Sequence, residues 1–211
     1  MKKALIFDID GTLWDSTLSV AKAWDEVASA SKYKFHITHE QILPCMGKPM
    51  SEFPAILFPS MPKEDSDDLL AKSLDHENEY VASHPGILYE GVEETLTKLS
   101  KKYDLLILSN CQKGYIEAFL TATKLGHVFT GYICWGDNFY SKSQNMLLLT
   151  SKYGYEKAMY VGDTLYDETE THKAGYKFAH ASYGFGKASN PEYVLKKFSD
   201  LEAAADDALS E

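Results

Sequence analysis

The pattern of apolar and polar positions divides the chain into two kinds of segment. Ala4-Leu5-Ile6-Phe7, Leu105-Leu106-Ile107-Leu108 and Ala158-Met159-Tyr160-Val161 are apolar runs without polar alternation, the pattern of strands covered on both faces of a parallel sheet. Between the first two runs, from about Ser16 to His84, apolar residues recur at helical spacing instead. Val20, Ala23, Trp24, Val27 and Ala28 share one helical face, and Leu69, Leu70, Leu74, Tyr80 and Val81 mark a second amphipathic helix over 64–82. Prolines at 44, 49, 54, 59 and 62 cut the chain between them into short pieces. His84-Pro85-Gly86 reads as a linker that returns the chain to its first kind of segment.

Beyond the linker, helix and strand alternate. Val92, Leu96 and Leu99 fall at helical spacing, with Glu93 and Glu94 in the first turn and Lys98, Lys101 and Lys102 near the end, where the helix dipole favours them. Further helices are expected over about 114–123 and 143–152 and up to Ala174, with strands near Tyr132 to Cys134 and Phe178-Ala179 and two helices at the C-terminus, one over Leu201 to Leu209. The pattern predicts an α/β fold: a doubly wound, Rossmann-like parallel sheet formed by residues 1–15 and 85–211, with a small helical domain inserted over 16–84.

Composition narrows the possible partners. A length of 211 residues suffices for a core domain and an insertion. A formal net charge of −10, from 21 basic and 31 acidic residues, argues against a broad nucleic-acid surface or an anionic membrane, so any anionic substrate must meet local positive charge. Cys45, Cys111 and Cys134 lack paired spacing and fit a reducing compartment better than a disulfide framework. With no basic-then-apolar leader and no apolar run of spanning length, the expected location is the cytoplasm. No pattern in the chain specifies an oligomeric state.

The chemistry collects at strand ends. Asp8 and Asp10 follow the first apolar run, and two carboxylates held ~4 Å apart at the end of a buried strand repel by about 4 kcal/mol at an effective dielectric of 20. A polar turn would need only one of them. The second run ends in Ser109-Asn110 and the third in Gly162-Asp163-Thr164. Open parallel sheets bind ligands beyond the carboxyl ends of their strands, so one crevice can collect all three endings. Lys142 precedes the apolar Met146-Leu147-Leu148-Leu149, at a predicted helix N-terminus, where the dipole disfavours a cation unless an anion sits beside it.

Asp8-Ile9-Asp10-Gly11-Thr12, the strand ending in Ser109-Asn110, Lys142 before a helix, and Gly162-Asp163-Thr164-Leu165-Tyr166-Asp167 together resemble the four ordered motifs of the haloacid dehalogenase-like hydrolase superfamily. The resemblance spans nearly the whole chain. The helical insertion is similar to the small cap of the subfamily that includes phosphoglycolate phosphatases and β-phosphoglucomutases. It implies that Asp8 attacks phosphorus to form an aspartyl-phosphate and that Asp10 serves as general acid and base. It also implies Mg²⁺ held by Asp8, Asp163 and the backbone carbonyl of Asp10, with Asp167 supporting a metal-bound water or the Lys142 ammonium. Ser109, Asn110 and Lys142 would bind the transferring phosphoryl group. Met46-Gly47-Lys48-Pro49 resembles the cap loop that helps select the leaving group, so Gly47 and Lys48 are candidate specificity residues.

The expected substrate is therefore a small phosphorylated metabolite, of phosphoglycolate or sugar-phosphate type. A phosphosugar mutase is the alternative, although Val20 occupies the position of the mutases' cap histidine. A non-catalytic binding module with this fold would typically lack one motif carboxylate, and all are present here. Dehalogenases and phosphonatases that share the fold lack an acid at the position of Asp10. Cys111 reads as a small packed residue, His36 and His39 as surface or capping residues, and Gly184-Phe185-Gly186 as a loop flanking the crevice. One departure from the family pattern concerns packing: Glu170-Thr171-His172 stands where small residues are usual.

Overall fold

A computed structural model describes residues 2–210. β1 (Lys3–Phe7) and the two-residue β2 (Trp14–Asp15) lead into a wholly helical stretch comprising α1 (Thr17–Ala30), α2 (His39–Ile42), α3 (Phe53–Leu57) and α4 (Lys63–Ser83). The chain returns through β3 (Ile87–Leu88), α5 (Val92–Leu99), β4 (Asp104–Ser109), α6 (Tyr115–Thr123) and β5 (Gly131–Cys134). It ends with α7 (Trp135–Asn138), α8 (Lys142–Tyr153), β6 (Lys157–Gly162), α9 (Leu165–Ala174), β7 (Lys177–Ala181), β8 (Tyr193–Leu195) and α10 (Leu201–Ala208).

Six strands form one sheet in the order β5-β4-β1-β6-β7-β8, with every neighbouring pair parallel. The continuous apolar runs follow from this arrangement. Leu5, Phe7, Leu105, Ile107, Met159 and Val161 point into a core shared with α5, α6 and α10. Their alternates Ala4, Ile6, Leu106, Leu108, Ala158 and Tyr160 face a second core under α8. Because side chains alternate between faces and both faces are covered, a polar group in these strands must find a buried partner, as the Tyr160 hydroxyl does in the Leu108 carbonyl at 2.8 Å.

From β1 the chain builds outward through β4 and β5, then crosses to β6 on the other side of β1. The carboxyl ends of β4, β1 and β6 therefore meet at the switch point of the sheet, where an open α/β fold leaves its ligand crevice. The helical stretch begins and ends beside it. Trp14 pairs with Leu88 and Asp15 with Ile87 in a short antiparallel ladder that ties its exit to its return. Gly86 of the linker lies so close to this crossing that a Cβ there would come within 2.6 Å of the Asp15 carbonyl oxygen.

Two features differ from the sequence reading. In place of two C-terminal helices, Tyr193–Leu195 adds an edge strand to β7 and only α10 is an α-helix. Three residues carry too little periodicity to mark a strand, and pairing with Ala179–Ala181 decides the matter. The β2/β3 ladder is shorter still, with two residues in each strand, and depends on residues more than seventy positions apart.

Candidate active site

The site grows from the end of β1. The Asp8 N–H continues the ladder by donating to the Val161 carbonyl at 2.9 Å, which fixes the backbone from which the carboxylate projects. Asp8 Oδ1 accepts from the Ile9 N–H at 2.9 Å, and Oδ2 accepts from Lys142 Nζ at 2.9 Å. Lys142 opens α8 with its side chain 1% exposed, donates also to Asp167 Oδ1 at 2.5 Å, and lies 5.3 Å from the centre of the Tyr160 ring. Burial works against its charge, but Asp167 and Asp8 more than offset this and hold the ammonium protonated. Glu170 resolves the packing question at the same helix end. Its carboxylate accepts from the Ser143 N–H at 3.1 Å and the Ser143 hydroxyl at 2.7 Å, tying α9 to the start of α8 and placing negative charge where the dipole favours it.

Asp163 leaves β6 and Asp167 sits in the first turn of α9, where the Thr164 hydroxyl and N–H both donate to its Oδ2. Asp163 Oδ2 accepts from the N–H groups of Phe185 at 2.8 Å and Gly186 at 3.2 Å, so the glycine-flanked loop holds this carboxylate directly. Gly11 must be glycine at this point: its φ is +77°, and a Cβ would stand 2.3 Å from Asp163 Oδ2. One carboxylate oxygen from each of Asp8, Asp163 and Asp167 lies within 4.8 Å of the others. Burial raises Asp8 to about 6, with Lys142 opposing, and burial followed by the charges of Asp167 and Asp8 raises Asp163 as well.

These residues fit a divalent cation. Three buried carboxylates face a single ammonium, an excess of two negative charges, and an all-oxygen donor set suits a hard ion such as Mg²⁺. The Asp10 carboxylate stands outside this cluster. Its Oδ1 alone accepts from Trp14 Nε1 at 2.8 Å, the Ser16 hydroxyl at 2.5 Å and the Tyr115 hydroxyl at 2.8 Å. Burial raises Asp10 above the ordinary carboxylate range. Two aspartates two residues apart thus occupy separate environments, one among charges and one among neutral donors.

The remaining candidates line one narrow crevice with Asp8 and Asp10. Ser109 and Asn110 come from the end of β4, Gly47 and Lys48 from the helical stretch, and the cavity between them measures about 30 Å³. Asn110 Nδ2 is buried without a hydrogen-bond partner. Lys48 is exposed and lies 3.6 Å from Glu52. His36 pairs with Asp25 and His39 with the Thr17 hydroxyl, so they do not share a site. Cys111 packs beside Cys134, and burial pushes its thiol up, away from nucleophilic use. Sequence reasoning set Gly184-Phe185-Gly186 beside the crevice without giving its amides a partner, and it missed Trp14, Ser16, Tyr115, Glu77 and Gln112. Trp14 and Ser16 stood in plain view beside the first motif, but nothing local marked the others.

Comparison with known proteins bears on the fold and the family. The phosphoglycolate phosphatase of Aliivibrio fischeri is 29% identical over 95% of both chains, and that of Aquifex aeolicus is 27% identical over 99% of both. A haloacid dehalogenase-like hydrolase of Streptococcus pneumoniae, 20% identical, superposes with a TM-score of 0.83 over 96% of this chain and 98% of its own, which shows a common fold. The family model described as haloacid dehalogenase-like hydrolase matches residues 5–181, a span that carries every strand end converging on the crevice, and this chain belongs to that family.

Proposed function

We propose that the protein is a Mg²⁺-dependent phosphatase that hydrolyses a small phosphorylated metabolite through an aspartyl-phosphate on Asp8. The observation that carries this reading is the separation of Asp8 from Asp10. Asp8 lies among Lys142 and the carboxylates of Asp163 and Asp167, whereas Asp10 is clamped through one oxygen and keeps its Oδ2 for proton exchange. The names of the relatives in Aliivibrio fischeri and Aquifex aeolicus support the reaction class.

Asp8, Asp163 and the Asp10 carbonyl would hold the metal, with Asp167 supporting it. When bound, the ion screens the clustered carboxylates and withdraws charge from the phosphoryl oxygens. Lys142, the Ser109 hydroxyl and the unpartnered Asn110 amide orient those oxygens. Asp8 attacks phosphorus while the bond to the leaving oxygen breaks, and Asp10 Oδ2 gives that oxygen its proton. Asp10 then takes a proton from the water that attacks the aspartyl-phosphate, which releases phosphate, regenerates the Asp8 carboxylate and returns Asp10 to its protonated form.

We assign residues 16–84 to a cap and residues 1–15 and 85–211 to the catalytic core. Residues of both segments line the crevice, so the cap would open to admit substrate and close over it to exclude water. Val20 lines the crevice where a mutase would carry a histidine, which favours hydrolysis over transfer. Phosphate release from a panel of phosphorylated metabolites, with Mg²⁺ and beside the Asp8→Asn variant, tests the reading. We expect free phosphate from the native protein and a loss of at least about 10³-fold in the variant. Turnover by Asp8→Asn, or an isomer in place of free phosphate, would overturn it.

A further inference from the structure

The crevice contains an acceptor that the proposed chemistry leaves unused. Gln112, between β4 and α6, is 7% exposed and lines the crevice beside Asp10 and Tyr115. Its Nε2 faces three acceptors, Asn78 Oδ1 at 3.0 Å, Glu77 Oε1 at 3.2 Å and the Leu74 carbonyl at 3.5 Å. These fix the orientation of the amide, because a flipped Gln112 would set oxygen against three oxygens. The other amide atom, Oε1, is buried and has no hydrogen-bond partner. A buried acceptor left unpaired is unfavourable unless something that binds there supplies the donor.

The charges around it indicate which donor. Glu77 is 4% exposed, also lines the crevice, and takes hydrogen bonds from Trp24 Nε1 and Gln112 while forming no ion pair among the described residues. Lys48, exposed and near Glu52, also lines the crevice. Val20, Met46, Met50 and Phe53 give the crevice an apolar share of its lining. A carboxylate at the end of the leaving group would meet the Gln112 oxygen, an acceptor with no proton to give it. A hydroxyl would meet an acceptor that lacks a partner.

We propose that Gln112 determines specificity by accepting a hydrogen bond from a free hydroxyl of the leaving alcohol, which makes the substrate a polyol or sugar phosphate rather than a phosphorylated hydroxy acid. Glu77 and Asn78 act as positioning residues that hold the amide with its oxygen toward the crevice. This inference rests on the phosphatase reading above.

The test compares kcat/KM for three donors of similar size: glycerol 3-phosphate, propyl phosphate, which has the same carbon chain without hydroxyls, and 2-phosphoglycolate. In the native protein, glycerol 3-phosphate should exceed each of the others by about tenfold or more, and in Gln112→Met its ratio to propyl phosphate should fall to about two or less. Equal turnover of propyl phosphate and glycerol 3-phosphate, or faster turnover of phosphoglycolate, would overturn the subsite and leave the phosphatase reading standing. So would an undiminished preference in a folded Gln112→Met. If that variant does not fold, the native ratios decide alone. Release of phosphate from none of the three donors, nor from p-nitrophenyl phosphate, would overturn the phosphatase reading and this inference with it.

Discussion

Asp10 shows how much a single side chain depends on its donors. Trp14, Ser16 and Tyr115 all meet the same oxygen, and Tyr115 also lies 3.0 Å from the Ser16 hydroxyl, so the carboxylate has one orientation and one oxygen left for chemistry. Tyr115→Phe removes one of the three. Its expected effect is a fall of about tenfold in kcat for alkyl phosphates, whose leaving oxygen needs a proton, and a change of less than about twofold for p-nitrophenyl phosphate, whose leaving group does not. Steady-state kinetics on the two donors checks this, and an equal loss on both would argue that Tyr115 matters only for packing. Asp8 and Asp10 were legible in the sequence because the end of an apolar run marks where a strand delivers its polar residues. Tyr115 was not, because its partner lies 105 positions away and a tyrosine at the start of a helix carries no local signature.

Among the elements, α4 carries the clearest consequence. It runs 21 residues along α1 and places Glu77 where it bonds both Trp24 of α1 and Gln112 of the loop after β4. Burial pushes Glu77 up to about 7, against an ordinary value of 4.5. The folded protein therefore keeps this proton between about pH 4.5 and 7 where the unfolded chain has released it, so stability falls as pH rises through that window. The contribution lost is on the order of 3 kcal/mol. We expect the urea midpoint of the native protein to drop from pH 5 to pH 8, and Glu77→Gln, which has no proton to lose, to drop less. A variant with the same slope as the native protein would assign the effect to other groups. The amphipathic spacing predicted α4 over 64–82, within one residue of its observed ends at Lys63 and Ser83. Periodicity finds such a helix because its apolar face repeats over many turns, but it says nothing of which polar residue becomes buried.

For the whole molecule, the central problem is charge. The chain carries a net charge of −10 and the candidate site gathers three buried carboxylates, yet the substrate proposed for it is an anion. Lys142 supplies one positive charge, and a divalent cation would balance the rest. Mg²⁺ binding to the folded state alone should stabilise it by RT ln(1 + [Mg²⁺]/Kd), about 2.7 kcal/mol at a hundredfold excess over Kd. A rise in melting temperature with Mg²⁺ in the native protein, lost in Asp163→Asn, is the expected outcome. EDTA should abolish phosphate release and added Mg²⁺ restore it, whereas full activity in EDTA would refute the metal assignment.

The sequence by itself determined the layout. Three apolar runs specified a sheet covered on both faces, helical spacing specified the helices between 16 and 84, and polar residues at strand ends gathered the candidate site residues at the carboxyl end of the sheet. All of these are local patterns, written within a few residues or a few turns of helix. The tertiary structure decided which neighbours each carboxylate would have. The Phe185 and Gly186 amides reach Asp163 across 22 and 23 positions, Lys142 reaches Asp8 across 134, and Gln112 meets Glu77 across 35. Such pairs form only when the β strands and helices pack, because each depends on where two separate elements end, and no spacing along the chain records that distance.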